Sequence, residues 1–93
     1  MKKIALAIIL LCMPLFVFSQ EMVERIILVG NERVTDDTIY YYLSSKEGEL
    51  FNPDLLKKDF RVLWATGFFS NITIEEEQGT KGKIVKIILE ENP

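Results

Sequence analysis

The side chains in this sequence that could do chemistry are carboxylates and tyrosines. Asp36 and Asp37 stand side by side, Glu75, Glu76 and Glu77 run in a row, and Tyr40, Tyr41 and Tyr42 form a triplet. Two carboxylates can divide general acid and base work, but only across a shared pocket. An adjacent pair directly after Thr35 reads instead as the first turn of a helix, where the dipole favours negative charge. The three glutamates close an alternating run. They form an acidic patch or, more plainly, keep a strand end soluble and hard to stack. Three consecutive tyrosines on a helix cannot all face one way, so at least one ring is exposed and open to contact.

Much chemistry is excluded. The chain has no histidine, the commonest general base and metal ligand. Its single cysteine, Cys12, lies in the leading apolar run and would leave with it. Ser44, Ser45 and Ser70 lack a base and an oxyanion hole in view. No phosphate loop or dinucleotide fingerprint is present, and no cofactor or metal is implied. "GTKG", Gly79–Gly82, has the letters of an RNA-clamping loop, but it falls between strands rather than between helices. The formal charge is −3, and it becomes −5 once Lys2 and Lys3 are removed. An acidic surface disfavours nucleic acid. A carboxylate-based hydrolase is the enzymatic alternative, and no acidic pair can be assigned to it.

"MKKIALAIILLCMPLFVFSQ" reads as a secretory signal over residues 1–19. Lys2 and Lys3 are the positive start, Ile4 to Phe18 the apolar run, and Ser19 the small residue at the cleavage point. The run is short for a membrane span of about 20 residues. A retained anchor is the alternative. Residues 20–93 then form one exported domain with no disulfide, held by its core alone.

The rest divides into five elements. "VERIILV", Val23 to Val29, is β-branched and ends at Gly30-Asn31, a strand and a turn. It is apolar on both faces. "VTDDTIYYYLSS" is a helix with Thr35 as its N-cap, Val34 and Ile39 as a hydrophobic staple, and Ile39 and Leu43 on one face. Asn52 caps a second helix and Pro53 takes its first position. Leu56, Phe60 and Leu63 form its apolar stripe, Lys57, Lys58 and Arg61 its wet side, and Gly67 its left-handed stop. "FFSNITIEEE" alternates as a strand, "QGTKGK" is a hairpin loop, and "IVKIILEENP" is a strand apolar on both faces.

A strand apolar on both faces belongs in the middle of a sheet. The order β-α-α-β-β then gives an α+β two-layer sandwich. Its three-stranded mixed sheet has the order 1-3-2, and two antiparallel helices cover one face.

From Val23 onward the chain resembles the polypeptide-transport-associated (POTRA) domain. The resemblance lies in "VERIILVGNERV", Gly48, "LLKKDFRVLWATGFFSNITI" and "KIVKIILEENP", with Gly30, Gly48, Leu63, Gly67, Phe69, Ile72 and Ile74 matching position by position. If Phe69 and Ile72 are both buried, as the family pattern implies, the strand must bulge or begin after Ser70. The resemblance implies a periplasmic module of an outer-membrane β-barrel assembly factor. Its implied partners are unfolded outer-membrane protein segments, assembly-machinery lipoproteins, and further POTRA domains and a membrane β-barrel C-terminal to this chain. Client strands would add to the free edge of the second strand around Asn71, Ile72, Thr73, Ile74 and Glu75, a backbone interaction largely indifferent to sequence. The alternatives are a POTRA domain of a cell-division protein or of a two-partner secretion transporter, or a free-standing periplasmic chaperone-like module.

Overall fold

The computed structural model describes residues 21–93. The signal segment and Cys12 lie outside the described residues. Five elements follow in the order β1 (Val23–Val29), α1 (Asp36–Tyr42), α2 (Pro53–Ala65), β2 (Phe69–Gln78) and β3 (Lys83–Glu91). The sheet order is β1-β3-β2, with β3 parallel to β1 and antiparallel to β2. The most apolar strand is central, as its sequence predicts.

One face of the sheet carries the core. Val85, Ile87 and Leu89 of β3 meet Val23 and Ile26 of β1 and Phe69 and Ile72 of β2. Ile39 and Leu43 from the first helical unit and Leu56 and Leu63 of α2 close over them. The opposite face carries Ile27, Ile84 and Ile88, which are only half buried.

Local chemistry sets the element ends. The Thr35 hydroxyl accepts the Thr38 N–H, and the Asn52 side chain accepts from Asp54 and Leu55. At the far end of α2 the Thr66 hydroxyl donates to the Leu63 carbonyl at 2.6 Å, and Gly67 turns out of the helix with φ +75. An L side chain rarely adopts that φ, which is why a glycine follows the helix.

Two strands carry one extra residue. The β2–β3 register slips between Phe69 and Asn71, so Ser70 bulges and Phe69 and Ile72 both reach the core. The β1–β3 register slips between Val23 and Arg25, which buries Val23 and Ile26 together despite their odd separation. The second bulge is not signalled by the alternation of "VERIILV".

The first helix is shorter than its sequence pattern. It stops at Tyr42, and Leu43 is already extended. The reason is Asp59 of α2, whose carboxylate accepts the Ser44 N–H at 2.7 Å and the Ser45 N–H at 2.9 Å. These donors would otherwise bond carbonyls one turn back and prolong the helix.

Candidate functional site

A three-stranded sheet has two edges, and here they are treated differently. At the β1 edge, Val23 donates to the Glu49 carbonyl and accepts from the Gly48 N–H, both at 2.8 Å. Phe51 donates to the Glu21 carbonyl at 2.8 Å. Further along, Ile26 donates to the Glu47 carboxylate at 2.9 Å, and its carbonyl accepts the Tyr40 hydroxyl. Burial first, and then the charges of Glu47, Asp36 and Asp37, hold the Tyr40 hydroxyl in its protonated, donating form by raising its pKa. Gly48, with φ +82, turns the loop so that Glu47, Gly48 and Glu49 all reach this edge.

The β2 edge has no such cover. In an antiparallel ladder, successive residues direct their backbone groups alternately toward the partner and away from it. The Gly79 N–H meets the Gly82 carbonyl at 2.7 Å, whereas the Lys83 N–H turns the other way, to Met22 at 2.8 Å. With Gln78 opposite Lys83, this phase directs Asn71, Thr73, Glu75 and Glu77 toward β3. Ile72, Ile74, Glu76 and Gln78 direct theirs outward. Among the described residues, no hydrogen bond reaches the outward backbone groups of Ile72, Ile74 or Glu76.

The expected edge set therefore splits. Ile72 and Ile74 present free backbone groups, while Asn71, Thr73 and Glu75 give theirs to β3 and offer exposed side chains on the uncovered face. Glu76 joins the free row. Sequence parity shows which face a side chain takes, but not the bonding phase against an unknown neighbour.

Beside this edge lies a groove of about 470 Å³ between α2 and β2. Leu56, Phe60 and Ile74 form its apolar part, and Lys57, Arg61, Glu76 and Pro53 surround it. The wet side of α2 thus forms one wall of a groove, a role the helical pattern alone does not assign. Its signal in the sequence is the spacing of Pro53, Lys57 and Arg61 four apart, on one stripe of the helix.

The glycines and core residues singled out by resemblance have clear structural tasks. Gly30 has φ +93, and a Cβ there would stand 2.0 Å from the Leu89 carbonyl oxygen. Leu63 and Phe69 are core residues, on α2 and at the start of β2. Gly30, Leu63 and Phe69 do not line the groove; Ile74, matched by the same resemblance, does. No cluster of three His, Cys, Asp or Glu among the described residues could hold a metal ion. Asp36 does not face a second catalytic group; it accepts from the Asn31 amide at 2.6 Å in the turn before α1. No described helix is long and apolar enough to cross a membrane.

A mixed sheet in the order 1-3-2 with two helices on one face defines a small α+β module. The chain belongs to the POTRA family: the model for POTRA, the surface antigen variable number repeat, matches residues 21–92. Among curated proteins it is similar to the outer membrane protein assembly factor BamA of Nitratidesulfovibrio vulgaris, with 27% identity over 64 residues, 69% of this chain and 8% of that protein. It is similar also to the BamA of Neisseria meningitidis serogroup B, with 28% identity over 79 residues, 85% of this chain and 10% of that protein. The chain thus spans a tenth or less of the length of these relatives. Among solved structures, POTRA1-2 of the periplasmic domain of Omp85 from Anabaena superposes with a TM-score of 0.69 at 23% identity, over 80% of this chain and 47% of that one. The N-terminal domain of Omp85 from Thermosynechococcus elongatus gives 0.70 at 18% identity, over 77% and 31%.

Proposed function

We propose that this chain is a periplasmic scaffold and binding module, one of a tandem array of POTRA domains in an outer-membrane protein assembly factor. It docks lipoprotein partners and holds unfolded client strands for insertion by adding them to β2. The observation that carries the reading is the asymmetry of the two edges. The β1 edge is capped at Val23 and Ile26. The β2 edge offers the unbonded backbone of Ile72, Ile74 and Glu76.

The groove supports the same reading. A strand laid beside β2 would turn every second side chain toward α2, over Leu56 and Phe60. Backbone bonds would supply sequence-tolerant affinity and the groove a preference for apolar side chains. The names of the two curated relatives, and the small share of their length that this chain covers, support the larger setting. In that setting the domain is exported by a cleaved signal at residues 1–19 and joined to the outer membrane through a barrel on the same polypeptide. It acts by binding, not by catalysis.

The test is hydrogen–deuterium exchange on the protein as the cell makes it, with and without an excess of extended peptides from an outer-membrane barrel. Slowed exchange confined to the 72–76 stretch is the expected result. Protection on the β1 side instead, or none at either edge, would remove the strand-addition role.

A further inference from the structure

A second surface lies at the start of β2, where the end of α1 meets Phe68 and Phe69. Four aromatic rings form an edge-to-face chain, with centroids 5.3 Å apart for Tyr41–Tyr42, 6.3 Å for Tyr42–Phe68 and 6.1 Å for Phe68–Phe69. Its inner end, Phe69, is buried in the core, and its outer end, Tyr41, is 82% exposed. Phe68 is also exposed. Neither outer ring is needed to fill the interior. Rigid aromatic side chains held against one another at a surface are the material of interface anchors.

The exit of the chain lies against this ladder. The Asn92 N–H donates to the Phe68 carbonyl at 2.8 Å, and its side-chain amide donates to the Gly67 carbonyl at 2.7 Å. The last residues are therefore fixed beside Phe68. Whatever follows Pro93 in the polypeptide starts within a residue or two of the rings. A short connection holds such a neighbour at millimolar effective concentration, so a small patch is enough to dock it.

We infer that Tyr41, Tyr42 and Phe68 form the docking surface for the first structural element C-terminal to Pro93, which seats an apolar face on the rings and fixes the angle between successive modules. This rests on the tandem arrangement proposed above. Neither a second copy of the chain nor a separate partner has its attachment point placed beside the patch in this way.

The experiment is hydroxyl-radical labelling of the full-length protein carrying a protease site directly after Pro93, with Trp64 on α2 as the internal reference. Tyr41 should label slowly in the intact chain and about fivefold faster after cleavage, when the neighbour dissociates by dilution. The Trp64 rate should stay constant. A second readout does not depend on the cleaved module staying folded: Tyr41→Asp should speed cutting at the inserted site about fivefold in the intact protein, by the same loss of docking. Free-tyrosine labelling before cleavage, or protection that persists after it, overturns the inference. So does an unchanged cutting rate in the Tyr41→Asp protein. A natural product whose mass ends at Pro93 would instead remove the tandem reading itself.

Discussion

The Asp59 carboxylate receives the Ser45 N–H at 2.9 Å inside a residue with 0% of its surface exposed. A charge so placed is tolerated because two backbone donors, from Ser44 and Ser45, satisfy it. It ties the loop after α1 to the middle of α2. Asp59→Ala should lower unfolding free energy by about 3 kcal/mol, since a buried donor loses an ionised partner. Asp59→Asn keeps the shape but offers one acceptor for two donors, and should cost about half as much. Urea denaturation of the two variants checks the order.

Gly30 and Gly67 both have positive φ, but only Gly30 is crowded. A Cβ at Gly67 meets open space, whereas at Gly30 it runs into the Leu89 backbone. Gly67→Ala should cost roughly 1–2 kcal/mol of backbone strain. Gly30→Ala should cost clearly more, because β1 and β3 would have to separate at the end of their ladder. Equal melting temperatures for the two variants would contradict this.

Glu91 links the end of β3 to the turn before α1, where its carboxylate accepts the N–H groups of Glu32 and Arg33. The Glu32 bond is the largest cause holding its pKa below the ordinary glutamate value of 4.5. In the unfolded chain the carboxyl protonates near 4.5; in the folded chain it protonates only at lower pH. Its contribution is therefore complete above 4.5 and is lost as pH falls through the depressed folded value. Glu91→Gln should therefore lower the melting temperature at neutral pH, and the difference from the unaltered protein should shrink and vanish as pH falls through that window, which melting curves recorded against pH would check.

Glu47 covers the Ile26 N–H at the β1 edge. Glu47→Ala should leave the core intact and speed Ile26 amide exchange by about tenfold, an effect of roughly 1.4 kcal/mol on local opening. Amides on the β2 side should not change. Exchange measured residue by residue distinguishes this local opening from global loss of stability.

Much of this architecture is legible in the sequence because its causes are local. Thr35, Asn52 and Pro53 announce helix starts, Gly67 a helix stop, and "KIVKIILEE" a central strand. The family pattern of Phe69 with Ile72 leaves either a bulge or a strand start after Ser70, and the register between β2 and β3 decides for the bulge. What the sequence hides depends on residues far apart along the chain. Asp59 shortens the first helix by holding the backbone of Ser44, 15 positions earlier, and the pattern of "DDTIYYYLSS" carries no trace of it. Glu47 and Tyr40 guard the first strand from 21 and 14 positions away. The β2 edge proposed for strand addition falls between these cases. Its location follows from strand order, but the outward phase of Ile72, Ile74 and Glu76 follows only from register.

The parallel pairing of β1 with β3 also has a mechanical meaning. The polypeptide enters at the start of β1 and leaves at the end of β3, and Val23 lies opposite Lys83 while Val29 lies opposite Ile88. Tension applied along the polypeptide through these two ends pulls the two strands past each other lengthwise. Every bond of that ladder is then loaded together in shear, and none is peeled open one at a time. A module wired this way resists stretching along the line that joins its two ends.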